Sequence, residues 1–124
     1  EPHGQGEKNA VKITDLRSQS HGVVVPEIDH KAYKAVVKEI DILYMLEPHE
    51  NLIKIFDSYI EEPYSYIAME LCRFTLLHTL ERQPELNEHT YAPIFRQMVQ
   101  ALAAIQKKCI AHRDIKPDNF LCSM

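Results

Sequence analysis

Residues 112 to 119 read His112-Arg113-Asp114-Ile115-Lys116-Pro117-Asp118-Asn119, which sets carboxylates, cations, an imidazole and a carboxamide side by side. A carboxylate can orient a hydroxyl and accept its proton. An ammonium can stand against anionic oxygen, and a carboxamide oxygen can ligate a hard metal ion. Together these types could carry out a metal-assisted group transfer to a hydroxyl. The bland reading of the same letters is a hydrated turn, because charged loop residues are mostly just solvated. Context weighs against it. The stretch follows directly on a long amphipathic segment, and other chemically capable residues lie upstream of it.

The elements that must position these groups switch between periods of two and of 3.6. Ala10 to Leu16 alternates, with Val11, Ile13 and Leu16 apolar, and predicts a short strand. Ser18 to Gly22 is small and polar and predicts a loop. From Asp29 onward Ala32, Val36, Ile40 and Leu43 recur at helical spacing, with Asp29 as the expected N-cap and Pro48 as the far limit. Leu52 to Ile60 and Tyr64 to Leu71 are β-type runs joined by Glu61-Glu62-Pro63, which predicts an antiparallel hairpin. Thr75 to Glu81 predicts a short helix. A longer helix carries Tyr91, Ile94, Phe95, Met98, Val99, Leu102 and Ile105 on one face. Thr90 is its expected N-cap, since that start puts Pro93 in the first turn, where the missing N–H costs nothing. The pattern is α+β.

At 124 residues the length suits one ordinary domain, and 45% hydrophobic content can bury a core. The formal charge of −4 and the absence of a Lys/Arg block argue against nucleic acid or an anionic membrane as partner. No apolar run approaches the ~20 residues of a spanning helix. Cys72, Cys109 and Cys122 are odd in number and lack paired spacing, and Glu1 to Ala10 lacks an apolar signal-peptide core. The expected setting is intracellular and cytoplasmic.

The run from His112 to Asn119 resembles the catalytic loop of eukaryotic protein kinases, H-R-D followed by Asn five positions after the Asp. The resemblance extends upstream in the family's order. Ala10-Val11-Lys12 resembles the strand whose Lys holds the α- and β-phosphates. Glu39 occupies the place of the helix glutamate that pairs with that Lys. The two are 27 residues apart, so residues 18 to 30 are expected to form an inserted loop. Ala35-Val36-Val37-Lys38 resembles the same strand motif but falls inside the helical pattern. Pro48-His49-Glu50-Asn51-Leu52 is similar to the family's turn into the next strand. Tyr66-Ile67-Ala68-Met69-Glu70-Leu71-Cys72 resembles the last small-lobe strand and hinge.

By that resemblance Asp114 would orient and deprotonate the attacking hydroxyl, Lys116 would set a cation by the transferred phosphate, and Asn119 would ligate a metal ion. Lys12 would hold the α- and β-phosphates of the nucleotide, and Glu39 would pair with Lys12 and orient it. Met69 would be the gatekeeper, and the Glu70 carbonyl and Cys72 amide would face adenine. The implied function is serine/threonine phosphorylation of a protein substrate with ATP and Mg2+. The catalytic loop is similar to that of casein kinase 1, whereas the hinge is similar to that of the inositol-requiring stress-sensor kinases. The implied fold is a partial kinase: an antiparallel small-lobe sheet with one helix over residues 1–71, then the hinge and first large-lobe helices over 72–124.

No G-x-G-x-x-G run precedes Lys12 and no D-F-G follows Asn119. The expectation is therefore a truncated domain, either a kinase incomplete in this chain or an inactive, pseudokinase-like binding module. The apolar face from Tyr91 to Ile105 is expected to stand exposed, favouring self-association or chaperone binding.

Overall fold

The computed structural model describes residues 8–83, 85 and 87–123. The chain divides into two compact units. One comprises residues up to Met45 together with Lys54–Glu70, and the other Leu46–Ile53 together with residues from Leu71 on.

The first unit is built on a three-stranded antiparallel sheet ordered β1 (Asn9–Asp15), β5 (Tyr64–Glu70), β4 (Ile55–Glu61). The predicted first strand and the β4–β5 hairpin are both present. Their register sets Lys12, Ile67 and Ser58 across one face and Ile13, Tyr66 and Tyr59 across the other. Leu52 and Ile53 fall outside β4, which begins at Ile55, because the His49–Asn51 turn bends the chain there. The Leu52 amide donates to the His49 carbonyl and the Asn51 amide to His49 Nδ1.

Residues 18 to 30, expected as a loop, instead contain a β-hairpin. Strand β2 (Arg17–Ser20) pairs antiparallel with β3 (Val23–Ile28) through His21 and Gly22. Those two have φ of 52° and 79°, the left-handed pair that a tight two-residue hairpin turn demands and that glycine adopts most cheaply. The β-branched Val23-Val24-Val25 run supplies the strand. Helix α1 (His30–Met45) follows. As expected, Asp29 caps it, its Oδ1 accepting from the amides of Lys31 and Ala32. Among the described residues of this unit, Leu16, Val36, Ser65 and Ile67 are the buried side chains.

The second unit holds α2 (Leu76–Glu81), α3 (Glu88–Gln106), a 3₁₀ turn at Pro117–Asn119 and a two-stranded pair of β6 (Phe74–Thr75) with β7 (Leu121–Cys122). Thr75 caps α2 by accepting from the His78 amide. Helix α3 starts earlier than predicted. Asn87, not Thr90, is its N-cap, with Oδ1 accepting from both the amide and the hydroxyl of Thr90. Pro93 therefore lies past the first turn, where it forfeits one bond of the helical ladder. Glu47 joins the unit through its ion pair with Lys108 at 2.6 Å.

The α3 face is open only in part. Tyr91, Phe95 and Val99 are exposed, Ile94, Met98 and Leu102 are half-buried, and Ile105, expected on the open face, is buried. No helix among the described residues is long and apolar enough to cross a membrane.

Candidate active site

Two clusters hold the candidate residues, one in each unit. In the first, alternation along β1 turns Lys12 to the face that bears Ile67 and Ser58, away from Val11 and Ile13. There its ammonium meets Glu39 of α1 at 2.5 Å. The pair is half-exposed, so it orients the ammonium more than it stabilises the fold. Lys38, in the competing motif, is in α1 rather than in a strand.

At the end of β5, Met69 sits opposite both Ala10 of β1 and Ile55 of β4. Glu70 is bound twice to Lys54: its amide donates to the Lys54 carbonyl, and its carboxylate accepts from the Lys54 amide. Those bonds fix the chain where it leaves the sheet. Cys72 follows in the second unit.

The second cluster is the 112–119 loop. Its C-terminal end is fixed by backbone pairing, since Leu121 and Cys122 lie against Thr75 and Phe74 and the Leu76 amide donates to the Phe120 carbonyl at 2.7 Å. Inside it, Asn119 Nδ2 donates to the Asp114 carbonyl at 2.8 Å and to its carboxylate at 2.9 Å. Lys116 Nζ stands 3.1 Å from the same carboxylate. The hydrogen bond from Asn119 first, then that from Lys116, hold the Asp114 carboxyl below the usual carboxylate range. The structure thus brings Asp114, Lys116 and Asn119 together as one group.

Three features of this loop were not foreseen. Arg113 has a φ of 67°, a left-handed backbone that costs a residue with a Cβ roughly 1–2 kcal/mol. His112 Nδ1 accepts from the Asp114 amide. The His112 ring also stacks on Phe120 at 6.5 Å. Hydrogen-bond geometry and strain leave no mark in residue type, although an aromatic just past the loop was visible in the sequence.

For Mg2+ the donor set fits in part. With its amide nitrogen spent on Asp114, Asn119 has Oδ1 to offer, the hard oxygen that this ion prefers. No cluster of three or more His, Cys, Asp or Glu suited to a metal occurs among the described residues. One protein oxygen suits an ion that keeps most of its shell as water and phosphate.

A family model described as protein kinase domain matches residues 3–124. MAP kinase-interacting serine/threonine-protein kinase 2 of Xenopus laevis is 33% identical over 88 residues, 70% of this chain and 19% of that protein. CDPK-related kinase 8 of Arabidopsis thaliana is 29% identical over 119 residues, 94% of this chain and 18% of that protein. Calcium/calmodulin-dependent serine/threonine-protein kinase 1 of Oryza sativa subsp. japonica is 29% identical over 121 residues, 96% of this chain and 19% of that protein. The chain spans about a fifth of the length of these curated relatives.

Proposed function

This chain belongs to the protein kinase family, and on that premise we propose that its residues serve phosphoryl transfer from Mg-ATP to a serine or threonine hydroxyl of a protein substrate. The observation that carries the reading is the convergence of Asn119 and Lys116 on the Asp114 carboxylate. A carboxylate kept ionised can accept a hydrogen bond from the incoming hydroxyl and take its proton as the phosphorus–oxygen bond forms. Lys116 offsets negative charge where the phosphoryl group transfers. Asn119 Oδ1 would hold Mg2+ in part, and the ion would supply neutralisation of the phosphate oxygens.

Lys12, steadied by Glu39, binds the α- and β-phosphates. Met69 lines the adenine site, and the Glu70 carbonyl and Cys72 amide pair with the base edge. The names of the relatives support the serine/threonine class, as does Lys116 by resemblance. The loop and hinge resemblances point to different subfamilies, so the reading stops at that class. The acidic charge balance and the odd number of cysteines, with no C-x-x-C spacing, support an intracellular role without nucleic acid or membrane partners.

The test is a thermal-shift titration of the chain with Mg-ATP. A dose-dependent rise in Tm that Lys12→Met abolishes and Asp114→Asn retains is expected, because Lys12 binds nucleotide whereas Asp114 acts on the hydroxyl. No shift at any nucleotide concentration would leave the alternative, a catalytically inactive, kinase-derived binding module.

A further inference from the structure

The sheet of the first unit has two unlike faces. On one, the row Lys12–Ile67–Ser58 is covered by α1, since Glu39 reaches Lys12 and Tyr44 accepts from the Ser58 hydroxyl at 3.1 Å. Ile67 at its centre is 2% exposed.

The opposite face holds the rows Val11–Ala68–Asp57, Ile13–Tyr66–Tyr59 and Asp15–Tyr64–Glu61. Val11, Ile13 and Tyr59 are 53%, 60% and 52% exposed. Tyr59 and Tyr66 stack at 4.8 Å, giving the face a stiff aromatic centre. Contiguous apolar surface of this kind marks an interaction site more often than isolated apolar residues do.

Charge says what kind of partner fits. Asp57 and Glu61 flank the apolar centre on β4, and neither forms an ion pair among the described residues. The nearby cations are already engaged. Arg17 is held by Asp15 at 2.6 Å and by the Tyr64 hydroxyl at 2.9 Å, and Lys54 lies over the Phe56 ring. An anionic lipid surface or a nucleic acid would meet like charge here, and a second copy of the same face would set carboxylates against carboxylates.

We propose that the face of β1–β5–β4 turned away from α1 docks a protein segment whose apolar side chains are flanked by lysine or arginine. Its apolar side chains would lie on Val11, Ile13, Tyr66 and Tyr59, and its cations would pair with Asp57 and Glu61. This goes beyond the phosphoryl-transfer reading and does not rest on it.

The probe is a short fluorescent peptide of alternating leucine and lysine, with a leucine–glutamate counterpart, titrated into the chain by anisotropy. The lysine peptide should bind and the glutamate peptide should not. D57K/E61K, two exposed positions, should weaken binding by at least about tenfold, as should Ile13→Ser. Phe95→Ser, in the apolar face of the other unit, should leave it unchanged. Circular dichroism checks that each variant is folded, and D57K/E61K decides the matter should Ile13→Ser unfold. The proposal is overturned by absence of binding, by equal affinity for both peptides, or by binding that D57K/E61K leaves intact. A concentration-dependent dimer that Ile13→Ser dissolves would also overturn it, making a second copy the occupant.

Discussion

The Asn119 amide reaches both the backbone oxygen and the carboxylate of Asp114, and Lys116 adds its charge at the same carboxylate oxygen, Oδ2. Desolvation acts against these contacts but does not outweigh them. A folded-state value below the unfolded one means that the linked stability is present above the ordinary carboxylate range. It is lost as pH falls through the lowered value. Asn119→Ala removes the largest cause, so the Asp114 titration should move up toward its ordinary value of 3.8, with Lys116→Ala moving it less. Carboxyl carbon NMR across the acid range checks this, and an unchanged midpoint in Asn119→Ala would contradict it. The identities of Asp114, Lys116 and Asn119 were legible because chemistry restricts residue type. The strain at Arg113 was not, because a left-handed φ at a non-glycine residue is imposed by the surrounding structure.

At the level of elements, the accuracy of the sequence reading followed the strength of the local signal. Asp29 before an apolar 3.6-residue pattern and Glu61-Glu62-Pro63 between two β-type runs left little choice, and both α1 and the β4–β5 hairpin formed. The β2–β3 hairpin was missed because its first strand, Arg-Ser-Gln-Ser, carries no apolar alternation. Only His21-Gly22 and the valines could have revealed it. Helix α3 starts earlier than expected because the cap at Asn87 outweighs the ladder bond that Pro93 forfeits. Asn87→Ala should therefore cost about 1 kcal/mol. Pro93→Ala should restore a ladder bond to His89 and stabilise by up to about 3 kcal/mol. Thermal unfolding of both variants measures the two effects, and a fall in Tm for Pro93→Ala would show that the helix accommodates the ring at no cost.

On the scale of the whole molecule, the exposed part of the α3 face leaves apolar surface to water. Phe95 is 64% exposed and Val99 48%. Fully burying such side chains is worth ~1.5–3 kcal/mol each, a large share of the ~5–15 kcal/mol that holds a domain folded. The chain should self-associate as its concentration rises, and Phe95→Ser should reduce that association in sedimentation velocity. A monomer at all concentrations would count against this. The pairing of Phe74–Thr75 with Leu121–Cys122 has a further consequence, in time rather than in space. All of α2 and α3 lies between the two partners, so this clasp closes only after the helices have brought its ends together. The loop bearing Asp114 thus inherits its order from contacts distant in sequence. It should be among the last segments to acquire a fixed shape as the chain folds, and among the first to lose it under stress.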